Sequence, residues 1–192
     1  MDAGAIPQII ILVILLMLSA FFSSAETSLT TVNKIRIRTL AEDGDKRAKR
    51  VLDITSNSGK MLSAILIGNN IVNLSASSIA TSLAIKLWGS VAAGIATGVL
   101  TILILIFGEI SPKTLATIYS EKISLLYSAP ISFLMKVLTP VIFIINKLSL
   151  GFLMLLRVDP NAGNQKMTEE ELRTIVDVSK ESGVIESDEH EM

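Results

Sequence analysis

Val99-Leu-Thr-Ile-Leu-Ile-Leu-Ile-Phe107-Gly108-Glu109-Ile110-Ser111-Pro112-Lys113 is the stretch on which the fold turns. A long apolar run leads directly to a carboxylate. An acid within a lipid-spanning helix costs roughly 2.5–3.5 kcal/mol on insertion scales, so such a residue faces a partner, a cavity or an ion. Two other apolar segments carry oxygen-bearing side chains at similar cost. Ser19, Ser23 and Ser24 stand in the first, and Asn69, Asn70 and Asn73 in the second. Three membrane segments with hard oxygen donors point to a cation site inside the bilayer.

Composition agrees with that setting. Half of the 192 residues are apolar, and the mean hydropathy of +0.58 places the chain among membrane proteins. There is no cysteine, which excludes disulfides, thiolate metal sites and cysteine nucleophiles. The single histidine, His190, sits in an acidic tail. Histidine catalysis and an imidazole zinc site therefore lack support, and no enzymatic function is expected. The net charge of −1 conceals a sharp segregation: 8 basic against 4 acidic residues over 33–60, and 3 against 10 over 158–192.

The pattern predicts an all-α membrane protein. A transmembrane domain over 1–157 has spans at about 6–32, 60–88 and 91–118. The first apolar run has no basic residue before it, so it reads as a retained span and not a cleaved signal. Lys34, Arg36, Arg38, Lys46, Arg47, Lys49 and Arg50 form a basic block over 33–58, broken by Asp43-Gly44-Asp45. It reads as one or two amphipathic helices at the membrane surface. A short loop so rich in Lys and Arg stays cytoplasmic, which puts the N-terminus outside and, with three crossings, the C-terminus in the cytoplasm of a multi-pass plasma (inner) membrane protein. Pro112 should kink the third span just past Glu109 and free the Gly108 carbonyl. The segment 131–157 is read as an in-plane, belt-like amphipathic helix, with a fourth span as the alternative. Residues 158–192 read as a cytosolic acidic helical segment, capped by Thr168 with Glu171 and stopped at Gly183.

Helix rise brings the polar residues to one level. At 1.5 Å per residue, Ser23 and Glu109 lie about 24 and about 27 Å below the outer starts of their helices, and Asn69 about 14 Å above the inner start of its own. All three fall in the inner half of a core roughly 30 Å thick. Ser19 and Ser23 share a helix face, as do Asn69 and Asn73, while Asn70 is turned about 100° away. Hydroxyls, amide oxygens, a carboxylate and a freed backbone carbonyl are the hard donors that Mg²⁺ prefers.

Phe22-Ser23-Ser24-Ala25-Glu26-Thr27, Ile67-Gly68-Asn69-Asn70-Ile71-Val72-Asn73 and Gly108-Glu109-Ile110-Ser111-Pro112-Lys113 resemble, in order and separation, the transmembrane domain of the CorB/CorC and cyclin M magnesium transporter family. The likeness covers the whole chain. It implies a homodimeric Mg²⁺ exporter driven by inward Na⁺, with three spans, a juxtamembrane belt and a cytosolic acidic bundle. Ser19, Ser23, one or more of Asn69, Asn70 and Asn73, and Glu109 would hold the ion, while Gly68 and Gly108 would allow close backbone approach. Paired CBS nucleotide-binding domains would follow beyond this sequence, so ATP would act only through them.

Plainer readings stand beside these. Ser19 and Ser23 can bond back to carbonyls four residues earlier, the asparagines can join helices, and Lys113 can simply neutralise Glu109. Glu26 is either a second ionisable group near the site or a snorkelling surface residue. The basic block either sets topology or touches anionic membrane lipid; lying between spans, it argues against nucleic acid. The alternative function is a membrane-anchored Mg²⁺ sensor or scaffold that controls cytosolic domains. An intramembrane serine hydrolase lacks a base at matching depth.

Overall fold

The computed structural model describes residues 5–156. The acidic segment expected over 158–192 lies outside them. The described residues are helical, without a strand, and run α1 Ala5–Thr31, α2 Lys34–Glu42, α3 Lys46–Ser56, α4 Ser58–Trp88, α5 Ser90–Leu103, a π-helical segment Ile104–Ile110, α6 Ser111–Ile118, α7 Ser120–Val137 and α8 Thr139–Leu155.

Three helical stretches are long and apolar enough to cross a membrane: Ala5–Thr31, Ser58–Trp88 and Ala93–Ile118. Their ends lie within about two residues of the expected spans. At 27 residues, α1 extends ~40 Å, enough to cross with tilt. Its N-terminal half turns Ile6, Ile10, Val13, Ile14 and Met17 outward, whereas its C-terminal half buries Ser19, Phe22, Ser23, Ser24, Ala25, Ser28 and Leu29. Apolar side chains turned outward in this way suit a hydrocarbon surrounding rather than water.

Helices α2, α3 and α4 begin at side-chain caps. Asn33 accepts from the Ile35 and Arg36 N–H groups, Asp45 from Arg47 N–H, and Asn57 from Lys60 N–H. Each satisfies a donor that the first helical turn leaves unpaired. The basic block thus forms two helices, α2 and α3. The apolar positions of α3, Ala48, Val51 and Ile54, are buried; Lys46, Arg47 and Lys49 are exposed, while Arg50 donates to the buried Ser128 Oγ of α7 at 3.4 Å. Gly89, at φ 84 and ψ 179, makes the tight connection between α4 and α5 in a conformation essentially reserved for glycine.

The third span departs from expectation. Pro112 is met by a widened turn and not by a break: residues 104–110 are π-helical, and the Ser111 N–H donates to the Ile106 carbonyl, five residues back. Pro112 then occupies the first turn of α6, which continues from the π-helical segment through a helical Ile110, so its missing N–H withholds a donor from the carbonyls one turn before it.

The stretch 131–157 also differs from a single belt helix. A helix already runs from Ser120, through Pro130, to Val137, and the chain breaks at Leu138 before α8. Serines, charged residues and Tyr127 dilute the apolar signal over 120–130, which hides the true start of α7. The pair α7 and α8 reaches spanning length only if both are counted as one broken span. The chain divides into two compact units at Phe143/Ile144, and the second is described only over 144–156, the remaining turns of α8.

In the first unit, the core gathers Phe22, Leu29, Ile37, Val51, Ile54, Met61, Ile65 and Ile131 from α1, α2, α3, α4 and α7. Phe21 packs edge-on against Phe22 and Tyr127, at centroid distances of 5.2 and 4.6 Å. This core fixes the C-terminal half of α1, the helix that carries the serines.

Candidate ion site

Two glycines set how closely the spans approach. A Cβ on Gly68 would lie 2.5 Å from the Phe22 ring, and one on Gly108 would lie 2.9 Å from Ser19 Oγ. Neither distance is available to a real side chain, so α1 meets α4 and the π-helical segment only because both neighbours are bare there. Contacts at Ser19–Gly108 and Glu26–Lys113 show that α1 runs parallel to the third span. The Thr81–Thr97 hydroxyl contact of 3.2 Å across the Gly89 turn makes α4 antiparallel to both.

Ser19, Asn69 and Gly108 come together at one level. Ser19 Oγ donates to Asn69 Oδ1 at 3.4 Å, a long bond. Ser24 and Ser28 bond back to carbonyls of their own helix. Ser23 does not: its Oγ is buried and has no partner, and the same is true of Asn73 Oδ1. Gln8 Oε1, near the N-terminus of α1, is the third such oxygen among the described residues. Ser23 stands one turn, ~6 Å, further along α1 than Ser19, and Asn73 one turn further along the antiparallel α4 than Asn69. Two unsatisfied buried oxygens therefore flank the Ser19–Asn69 contact on opposite sides. Leaving such a group unpaired costs about 1–3 kcal/mol, and a native structure that keeps one has a reason for it.

Asn70 does not join this group; it is exposed on another face of α4. Glu109 follows Gly108 but points to a second cluster. Its Oε1 accepts from Lys113 Nζ at 3.2 Å, and the same Nζ lies 3.6 Å from Glu26 Oε2. The three side chains are between 28% and 38% exposed, so they are shielded without being sealed. An amide-hydroxyl cluster thus lies beside a carboxylate pair that shares one ammonium. No group of three His, Cys, Asp or Glu occurs among the described residues. Any ion held here would rely on neutral oxygens, Glu109 and the carbonyls of the π-helical turn, an oxygen set suited to a hard cation.

The bond between Glu109 and Lys113 follows from their four-residue spacing. The reach of Lys113 to Glu26 has no local signal, since 87 residues separate them. Nor does spacing reveal that the Phe22 ring lies over Gly68.

Residues 10–189 match the family described as Cyclin M transmembrane N-terminal domain. The chain is 40% identical over 173 residues to a UPF0053 protein of Haemophilus influenzae, covering 90% of this chain and 41% of that protein. It is 36% identical over 164 residues to the UPF0053 inner membrane protein YfjD of Escherichia coli, covering 85% and 38%. A more distant relative, 29% identical over 195 residues, is the polyamine export protein of Haemophilus influenzae, covering 95% and 45%. The chain spans about two-fifths of the length of the first two relatives. With its three spanning-length helices and a match over most of its length, this chain is a multi-pass membrane protein belonging to the cyclin M transmembrane domain family.

Proposed function

We propose that the chain is the membrane domain of an exporter of Mg²⁺, working as a homodimer by secondary active transport with inward Na⁺ as the coupling ion. The N-terminus would face outside and the basic helices α2 and α3 the cytoplasm, against anionic lipid. Regulation by ATP would belong to CBS domains elsewhere in the full protein. The observation that carries this reading is the pair of unpartnered buried oxygens, Ser23 Oγ and Asn73 Oδ1, on either side of the Ser19–Asn69 contact. Oxygens left without protein donors are available to replace the water shell of a cation. Ser19, Ser23, Asn69, the Gly108 carbonyl and Glu109 are the proposed ligand set, with Asn73, about two helical turns from Ser23, as a second contact on the ion's path and Asn70 turned away from it.

The test is Mg²⁺ flux in proteoliposomes under an imposed Na⁺ gradient. Glu109→Ala and Ser23→Ala should each abolish flux while the purified protein keeps its oligomeric state. Normal flux in both variants would end the reading. Mg²⁺ binding without flux under any gradient would favour the sensor or scaffold instead.

A second reading is a polyamine as cargo. It is favoured by the Lys113 alkylammonium seated between Glu26 and Glu109, chemistry that fits a primary ammonium of any origin, and by the name of one relative. Spermidine flux that depends on Glu109 and is unaffected by Mg²⁺ would select it.

A further inference from the structure

We propose that Lys113 is a tethered competitor for the transported cation: its ammonium holds Glu109 until a cation arrives, and Glu26 then retains it. This rests on the cation-site reading above. The geometry offers two seats for one charge. Nζ is 3.2 Å from Glu109 Oε1 and 3.6 Å from Glu26 Oε2, on a different helix. An ammonium carries three donors on a flexible four-carbon stem, so leaving Glu109 requires a side-chain rotation and no backbone shift.

Charge explains why the second seat matters. Two carboxylates and one ammonium leave a single net negative charge. A dication on Glu109 with Lys113 still in contact would set like charges side by side. A Lys113 driven off with no other partner would be an unpaired charge at membrane depth. Glu26 avoids both outcomes, because the ammonium stays paired before and after the exchange. A monovalent cation merely replaces the ammonium one for one, whereas a divalent one brings an additional charge to Glu109. The device therefore favours divalent over monovalent cargo. When the cargo leaves, the returning ammonium takes over the carboxylate and hastens release.

The two partners of Lys113 give opposite predictions. In Lys113→Gln the competitor is gone, so the half-saturating Mg²⁺ concentration should fall by about tenfold while the maximal flux drops, release being slower. In Glu26→Gln the ammonium loses its second seat and stays on Glu109, so half-saturation should rise. Lys113→Arg keeps the charge and should restore the wild-type concentration dependence, which loss of packing alone would not predict. Mg²⁺ flux in proteoliposomes and Mg²⁺ calorimetry on the detergent-solubilised protein are the readouts, with Glu109→Gln as the reference. Normal flux in Glu109→Gln would sink the cation-site reading itself. A silent Glu109→Gln together with wild-type half-saturation in Lys113→Gln would overturn the competitor alone. Should Lys113→Gln fail to assemble, Glu26→Gln decides: an unchanged or lowered half-saturation overturns the proposal.

Discussion

The ring of Phe22 lies on the bare backbone of Gly68, so close that a single methyl there would stand 2.5 Å from its Cζ. A planar ring cannot flex out of the way at one atom; it must swing as a whole into the core it shares with Phe21 and Ile65. Gly68→Ala should lower stability by about 1–3 kcal/mol, read as a lower thermal midpoint in detergent. Adding Phe22→Leu to the same chain should recover most of the loss. An unchanged midpoint in Gly68→Ala would show that α1 and α4 do not cross at this pair.

Stability and activity should part company at Ser23. Its hydroxyl is 1% exposed and unpartnered, so Ser23→Ala removes a desolvation cost of about 1–3 kcal/mol. The variant should melt at an equal or higher temperature than wild type while losing Mg²⁺ flux. A destabilised Ser23→Ala protein would mean that the hydroxyl has a structural bond after all.

Orientation can be read with thiol reagents, because the chain contains no cysteine. Asp43→Cys lies in the α2–α3 turn and Ser90→Cys at the α4–α5 connection. With the basic block inside, an impermeant maleimide applied to cells should label Ser90→Cys and leave Asp43→Cys unmodified until the membrane is opened. The reverse pattern would invert the proposed topology.

The cap of α3 should be acid-sensitive. The Arg47 side chain, and then its backbone N–H, hold the Asp45 carboxyl below its ordinary value of 3.8. A depressed folded-state value means that the ionised cap stabilises the helix above the unfolded-state value. That stabilisation is lost as pH falls through the lower folded-state value. Amide-exchange protection at Arg47 and Ala48 should therefore decline below about pH 4. In Asp45→Asn, which keeps the acceptor and drops the charge, protection should not change over that range.

The spans were legible because a lipid-crossing helix is specified by little more than length and uninterrupted hydropathy. Ile6–Phe22 and Val99–Phe107 leave small room for another structure. The Asn33, Asp45 and Asn57 caps went unread, although each is a residue type that favours helix starts. The π-helical turn was not legible either. A helix of i→i−5 bonds has the same apolar composition as its α-helical neighbours, and Pro112 alone announces a disturbance without saying which kind. The start of α7 at Ser120 stayed hidden for the opposite reason: its buried Ser124 and Ser128 hydroxyls bond their own backbone, so polar letters stand at interior positions. At the site, single-helix spacing put Ser23, Asn69 and Glu109 at a common depth, whereas Ser19 and Gly108 are the residues that stand level with Asn69. Only tertiary contact could separate the bonded Ser19 from the unpartnered Ser23, or show Lys113 shared between two carboxylates.

Helix α1 is gripped from two sides, by Gly68 against Phe22 and by Gly108 against Ser19. Its C-terminal turns are like a key between two wards, where any added atom on one flank must be matched by one removed from the opposing flank. Its N-terminal turns leave most of their aliphatic side chains exposed, where one serves as well as another. Drift among descendants of this chain should then be lopsided, free from Ile6 to Met17 and, from Ser19 onward, permitted only in compensated pairs.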